Sequence, residues 1–568
     1  MLPMMLRDTH REVSFHLTST ADRLPWSQNY DPAHHWWMSA IYAALPLLVL
    51  LIALLGPRLK ARHSAAIALV VALFIAIGIF HMPPGLALMA TAYGAAYGMF
   101  PIFWIIFPVI FLYHLTIRAG RFALLQECLV GVTADSRLQL LLIAFALGAF
   151  FEGAAGFGTP VAVCGTILIG LGFAPLEAAG LALLANTAPV AFGGLGIPIV
   201  ALHGVTGLDT QVLTRVVSAL LAPFCVLVPF WLICAFAGFK SMLEIWPAIL
   251  VTGTTFGATQ LLVARLHGPW LVDVTASVIT ICALVLFLRV WRPKQILDAK
   301  CQRLPRLAHA RKGSSAQSVL RAALPWIVLA LCITFWGTPR VSLWLDAATV
   351  HFRIAGLHQM VLRVFPAVRI ATAEPALFNF NWLSATGTGI MISALIAAAL
   401  MRLKIRDIAE VFVRTIVSTR FTLITIAALM GLGFLTRFCG LDATLGLAFA
   451  RTGVLYPFFG TLIGWVGTAS TGSDTSSNVL FGSLQKLTAQ QLGISPYVMA
   501  AANSGGGVMG KMIAPQSVVV ASTATGTYGK EGSILRFVFV HSVALACLMG
   551  IVVSLIIYFP ALTRLLLR

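Results

Sequence analysis

Apolar runs long enough to cross a bilayer recur along the 568-residue chain from Trp36 to its end, each closed by a short polar or basic stretch. A helical span needs about 20 mostly apolar residues. The first such run extends from about Trp37 to Leu55 and the second from about Ser64 to Phe80. The MPPG stretch at Met82–Gly85 then ends the helix, because proline cannot continue one. The pattern predicts an all-α polytopic membrane protein with about 12–14 transmembrane helices plus shorter re-entrant hairpins.

Four stretches break this regularity, and they fall in pairs. The first half reads EGAAGFGTP from Glu152 and then LLANTAPVAFGGLGIP ending at Pro198. The second reads TASTGSDTSSN from Thr468 and then AAANSGGGVMGKMIAP ending at Pro515. Asn186 precedes Pro198 by twelve positions, as Asn503 precedes Pro515, and Gly156 and Gly472 lie 30 and 31 positions before the two asparagines. The chain therefore contains two pseudo-repeats. In hydrocarbon every backbone N–H and C=O must be bonded internally, so glycine-dense, proline-broken stretches are tolerated only where protein or a water-filled cavity covers them. A matched pair of interrupted apolar segments points to a transporter site near the bilayer midplane. The exposed helix starts there suit an anion.

Gly505, Gly510 and Lys511 also match the spacing of a phosphate-binding loop. That motif follows a strand and continues with Ser or Thr. Here SPYVMAAANS reads as a helix, and Met512 fills the Ser/Thr position. The glycines are read as opening a helix inside the membrane.

Charge refines the organisation. Only 10% of residues are charged, yet the net charge is +19. Short basic loops mark the cytoplasmic face of membrane proteins, and no soluble basic domain is present that would bind nucleic acid. The segment 289–321 holds nine Lys or Arg against Asp298 alone and is read as a cytoplasmic linker. It divides a first membrane half, 37–288, from a second, 322–568, after a polar tail, 1–36. A charge-balanced tail before the first span and Arg58, Lys60 and Arg62 after it predict an outward-facing N-terminus. The longer loop from Thr338 to Asn379 then also lies outside. Nine scattered cysteines without a C-x-x-C pair predict neither a disulfide framework nor a metal site. No cofactor is expected, and no nucleophile–base–metal constellation suggests an enzyme.

Candidate site residues follow from the breaks. Lys511 is the basic residue within the second glycine cluster. It either attracts a substrate carboxylate or forms a salt bridge with Asp474. Asn186, Thr187, Asn503 and Ser504 are read as opening the two breaks, where they could hydrogen-bond a carboxylate and a hydroxyl or cap the broken helices. Thr159 and Thr475 sit at the hairpin tips. Gly156, Gly158, Gly193, Gly505 and Gly506 would let backbone approach a ligand, with close helix packing as the competing explanation. Glu152 and Asp474 are the proton-coupling candidates, because a carboxyl withdrawn from water can load and release a proton near neutral pH. Arg437 is read as interfacial or as the ion-pair partner of Asp442, with a second carboxylate clamp as the alternative.

Glu152–Val163 (EGAAGFGTPVAV), Ala185–Ile199, Thr471–Gln485, Asn503–Ala521 and Phe380–Ile396 together resemble the signature stretches of the bacterial L-lactate permease family. The resemblance implies proton symport of L-lactate, and of D-lactate or glycolate in relatives, across the bacterial inner membrane. It also implies a fold of inverted repeats with paired re-entrant hairpins. Sodium coupling and an anion channel are the alternatives, and a homodimer is compatible with the reading.

Overall fold

In the computed structural model the described residues are 24–55, 61–121, 123–124, 132–154, 158–304, 316–336, 338–368, 370–527 and 530–567. Gly156, most of the polar tail and the centre of the basic linker lie outside them. Among the described residues seven helices are long and apolar enough to span a bilayer, and two bent helix pairs raise the figure to nine. Shorter apolar helices, including Trp36–Leu50, Arg62–Gly78 and Thr386–Leu400, extend the set toward the number that hydropathy predicts. The protein is a helical, polytopic membrane protein.

Two hairpins and two broken spans form its centre. The first hairpin pairs Ser136–Ala154 with Thr159–Gly170, and the second pairs Tyr456–Thr471 with Asp474–Gln491. Both tips turn on a left-handed glycine: Gly158 at φ 83° and Gly472 at φ 73°. Only glycine adopts that conformation without steric cost. The first broken span joins Pro175–Ala185 to Gly193–Thr206, and the second joins Pro496–Gly510 to Pro515–Ala524.

The hairpins enter from opposite faces. Arg137, at the root of the first, donates to Glu244 Oε2 at 2.8 Å and to the carbonyl of Gln295 at 2.8 Å, so this hairpin is anchored beside the basic linker. At the far end of the second, Gln491 Nε2 donates to the carbonyl of Ala367 at 2.8 Å, within the extramembrane segment that follows Trp336. Trp26–Ser27 pairs in parallel with Val361–Leu362 of that same segment, which places the N-terminal strand on the same face. Opposite entry is the signature of an inverted repeat. The extramembrane segment carries short strands, Val350–Arg353 paired with Leu377–Phe380 and Val361–Arg363 paired with Thr372–Ala373, which the loop reading did not foresee.

Each hairpin packs against the broken span of the other half. Gly158 lies against Val520, and Thr166 Oγ1 donates to the carbonyl of Ala524. Reciprocally, Asn478 Nδ2 donates to the carbonyl of Pro198 at 3.2 Å, and Gly482 lies against Leu202. The exchange covers the first interruption, whereas the second, at Lys511–Ile513, packs chiefly on Tyr456–Thr471 and Glu531–Tyr558 of its own half.

The two breaks differ, and here the sequence reading is corrected. In the first, helix ends at Ala185, and Gly194, Leu195 and Gly196 take φ of 55°, 57° and 78° before regular helix resumes. A non-glycine residue at positive φ costs of order 1–3 kcal/mol, and Leu195 is held there fully buried. In the second, Asn503–Gly510 stays helical and the interruption falls later, at Lys511–Ala514. Asn503, Ser504, Gly505 and Gly506 therefore do not open a break. A Cβ on Gly506 would lie 2.0 Å from the carbonyl oxygen of Thr461, and one on Gly464 would lie 2.0 Å from that of Asn503. These glycines let two helix backbones touch.

That contact is testable. Gly464→Ala is expected to destabilise the purified protein by about 1–3 kcal/mol, seen as a lowered melting temperature. Gly505→Ala, which meets only the flexible Met549 side chain at 3.3 Å, should melt as the parent does.

Candidate functional site

A cavity of about 470 Å³ lies where the four central elements meet. Four helices begin at its wall. Gly158 precedes Thr159–Gly170, Ser473 caps Asp474–Gln491, Gln516 and Ser517 stand in the first turn of Pro515–Ala524, and Ile197 and Pro198 stand where regular helix resumes after Gly196. The unpaired N–H groups of a helix start carry partial positive charge, worth about 0.3–1 kcal/mol toward an anion at each end. Together the four ends are comparable to one charge-assisted hydrogen bond, about 1.5–3 kcal/mol.

Lys511 adds a full charge to this field. It is 8% exposed, lines the cavity and donates from Nζ to the carbonyl of Gly472 at 2.9 Å, which ties it to the second hairpin tip. No ion pair joins it to Asp474 among the described residues. The carboxyls of Glu152 and Asp474 face the same cavity. Their surroundings differ. Asp474 accepts from Ser504 Oγ at 2.5 Å, Asn478 Nδ2 at 3.3 Å and Thr468 Oγ1 at 3.4 Å. Glu152 accepts from Asn186 Nδ2 at 3.0 Å. A Cβ on Gly193 would lie 2.7 Å from Glu152 Oε1, so glycine there makes room for the carboxyl.

The structure thus gathers Glu152, Gly158, Gly193, Asp474, Thr475 and Lys511 around one cavity. Asn186 and Ser504 stand behind it, each holding a cavity carboxyl. Asn503 is deeper, donating to Asn478 Oδ1 at 2.9 Å and accepting from Gln485 at 3.2 Å. Thr187 bonds the carbonyl of Leu184 in the turn that ends Pro175–Ala185. Thr159 opens its helix next to the first tip without lining the cavity, and Gly505 and Gly506 serve packing. The sequence reading missed Ser476, Gln516, Ser517, Thr422 and Thr425, which also line the wall. It missed Arg62 too, whose guanidinium lies 3.8 Å over the ring of Phe421. Only the pairing of one residue's helix with another far along the chain would have identified them.

A second cavity of about 760 Å³ lies under the strand-bearing cap, lined by Tyr93, His203, Trp270, His351 and Arg437 among others. Adjacent residues separate the two spaces: Ile105 lines the second and Ile106 the first, while Pro198 lines the first and Val200 the second. Arg437 does not pair with Asp442 as read from sequence. Its guanidinium donates to Glu374 Oε2 at 3.0 Å, and Arg363 pairs with the same carboxylate. Burial would push the Glu374 carboxyl up, but Arg437 and Arg363 hold it below the usual range.

Comparison with known proteins completes the assignment. Residues 39–559 match the family model described as L-lactate permease. The chain belongs to the L-lactate permease family. It is 42% identical to the glycolate permease GlcA of Escherichia coli (strain K12), over 94% of this chain and 98% of that protein. It is 39% identical to the L-lactate permease of the same organism, with the same coverages, and 38% identical to that of Bacillus subtilis (strain 168), again over 94% and 98%.

Within this permease the bonds behind the cavity should separate by function. Ser504→Ala removes the shortest bond to Asp474 and is expected to slow substrate uptake about 10-fold. Thr187→Ala, which loses only a local bond to the preceding turn, should transport within about 2-fold of the parent in the same vesicle assay.

Proposed function

We propose that this permease takes up a 2-hydroxy monocarboxylate, L-lactate or its close relatives glycolate and D-lactate, together with a proton across the bacterial inner membrane, with its N-terminus outward. The observation that carries this reading is the convergence of four helix starts and Lys511 on one cavity that also holds two carboxyls. The anion's carboxylate binds in the positive field of Lys511 and the helix starts. Its hydroxyl finds partners among Asp474, Thr475 and Ser476.

Charge balance assigns the carboxyls. Asp474 receives three hydrogen bonds, which support its ionised form and offset Lys511. Glu152 receives one and is the residue that carries the proton. A lactate anion and one proton cross together without net charge movement. The thin layer at Ile105–Ile106 and Pro198–Val200 is the barrier between the two cavities, and rocking of the hairpin tips against the broken spans exchanges access. The likeness to lactate and glycolate permeases over 94% of the chain supports the substrate class.

Purified protein in proteoliposomes tests this. Labelled L-lactate should accumulate when the interior is made alkaline, and glycolate and D-lactate should compete. Accumulation driven by a sodium gradient at equal pH would instead mean sodium coupling. Non-saturating, voltage-dependent current would mean a channel. Lys511→Ala is expected to lower uptake about 10–100-fold while the protein still inserts in the membrane. Glu152→Gln should lose pH-driven accumulation yet still exchange internal for external lactate; pH-driven accumulation at the parent level would remove Glu152 from the mechanism.

A further inference from the structure

Behind Glu152 lies a carboxyl that the cavity does not explain. Asp273 is the second residue of the helix Val272–Val290 and is 1% exposed. Neither Oδ1 nor Oδ2 has a hydrogen-bond partner among the described residues. Ionising a buried acid that has no partner is costly, and buried polar atoms are nearly always paired. An unpaired acid in this position is therefore a functional group by default.

Asp273 lines neither cavity but lies between residues that do. Gly153, adjacent to Glu152, packs directly on it: a Cβ on Gly153 would lie 2.6 Å from Asp273 Cβ and 3.0 Å from the nitrogen of Val274. The helix turn that carries Glu152 is thus pressed against Asp273, and glycine alone permits the approach. Glu152 lines the inner cavity, whereas Trp270, three residues before Asp273, lines the cavity under the cap. Gly196, in the strained segment of the first broken span, abuts Pro269 with a prospective Cβ 2.6 Å from that proline's Cβ. Asp273 therefore stands where the barrier between the cavities meets the first broken span.

The titratable groups around it are few. Glu152, on the hairpin, is the residue next to Gly153, which touches it. Cys225, from Thr210–Glu244, is buried and directs its Sγ to Gln260 Oε1 at 3.2 Å. His267 ends Trp246–His267, sits edge-on to Trp270 with ring centroids 6.3 Å apart, and has both ring nitrogens buried without hydrogen-bond partners among the described residues. His203, on Gly193–Thr206, lines the outer cavity. Lys511 lies beyond Glu152 across the inner cavity.

We propose that Asp273 is the proton donor to Glu152, a relay residue that brings protons from the cavity under the cap to the carboxyl beside the substrate. The neutral acid of Asp273 passes its proton to the Glu152 carboxylate, and the Asp273 carboxylate left behind takes a proton from hydronium that reaches it past Trp270 from the cavity under the cap. One O–H bond breaks as one forms at each step, and no other reactant is needed. This inference rests on the proton-symport reading and adds to it the route by which the proton arrives.

The test uses full-length protein in proteoliposomes with two assays side by side. Asp273→Asn keeps the size of the side chain and cannot relay a proton. It is expected to lower pH-driven net uptake about 10-fold or more while lactate–lactate exchange, which moves no net proton, stays within about 2-fold of the parent. Parent-level pH-driven uptake in this variant overturns the proposal, and so does an equal loss of both activities, which marks a structural role. If Asp273→Asn does not fold, as judged by size-exclusion chromatography, Asp273→Glu decides. An acid displaced by one methylene must shift the pH of half-maximal net uptake, and an unchanged profile overturns the relay. Failure of the underlying reading looks different: the parent protein itself would show no pH-driven uptake, or Glu152→Gln would remain coupled.

Discussion

Backbone that leaves the helix in the middle of a bilayer must be covered, and that requirement organises this permease. Neither broken span can cover itself. Each packs on the hairpin of the opposite half, through Asn478 on the carbonyl of Pro198 and through the first tip against Val520, and the second is also covered by the hairpin of its own half. The halves are consequently interlocked, and the cavity exists because four helix starts are brought to one place by the covering contacts. The binding field and the stability of the membrane core have the same origin.

Contacts within each half, between its broken span and its own hairpin, distribute charge. Lys511 leans on the carbonyl of Gly472, so the cation is fixed to the second hairpin rather than to an acid. Asn186 and Ser504, from the two broken spans, hold the carboxyls that the two hairpins contribute. Movement of a hairpin relative to a broken span would change the surroundings of a carboxyl and of the cation together. Transport with coupled protonation needs such a linkage between position and charge.

Much of this was legible in the amino-acid order. Apolar run lengths located the spans, because bilayer thickness fixes helix length. The repeated Gly–Asn–Pro spacing located both hairpins and both broken spans, because only covered backbone tolerates such composition. Lys511, Glu152 and Asp474 stood out as charges in those stretches. Three things were not legible. Helix propensity cannot tell a glycine that opens a helix from one that lets two helices touch, so Asn503–Gly506 was read as a break when it is a packed helix. Partners distant in the chain, such as Arg437 with Glu374, follow from packing alone. Asp273 passed unnoticed within an apolar run, although a lone acid in such a run is itself the signal.

The central claim is that the helix starts and Lys511 together hold the anion's carboxylate. A structure of the protein in lipid nanodiscs with saturating L-lactate measures this directly. The account predicts ligand density in the cavity between the two hairpin tips, with its carboxylate within hydrogen-bond distance of Lys511 Nζ. Density confined to the space beneath the strand-bearing cap, with Lys511 still bonded to Gly472 alone, would contradict it.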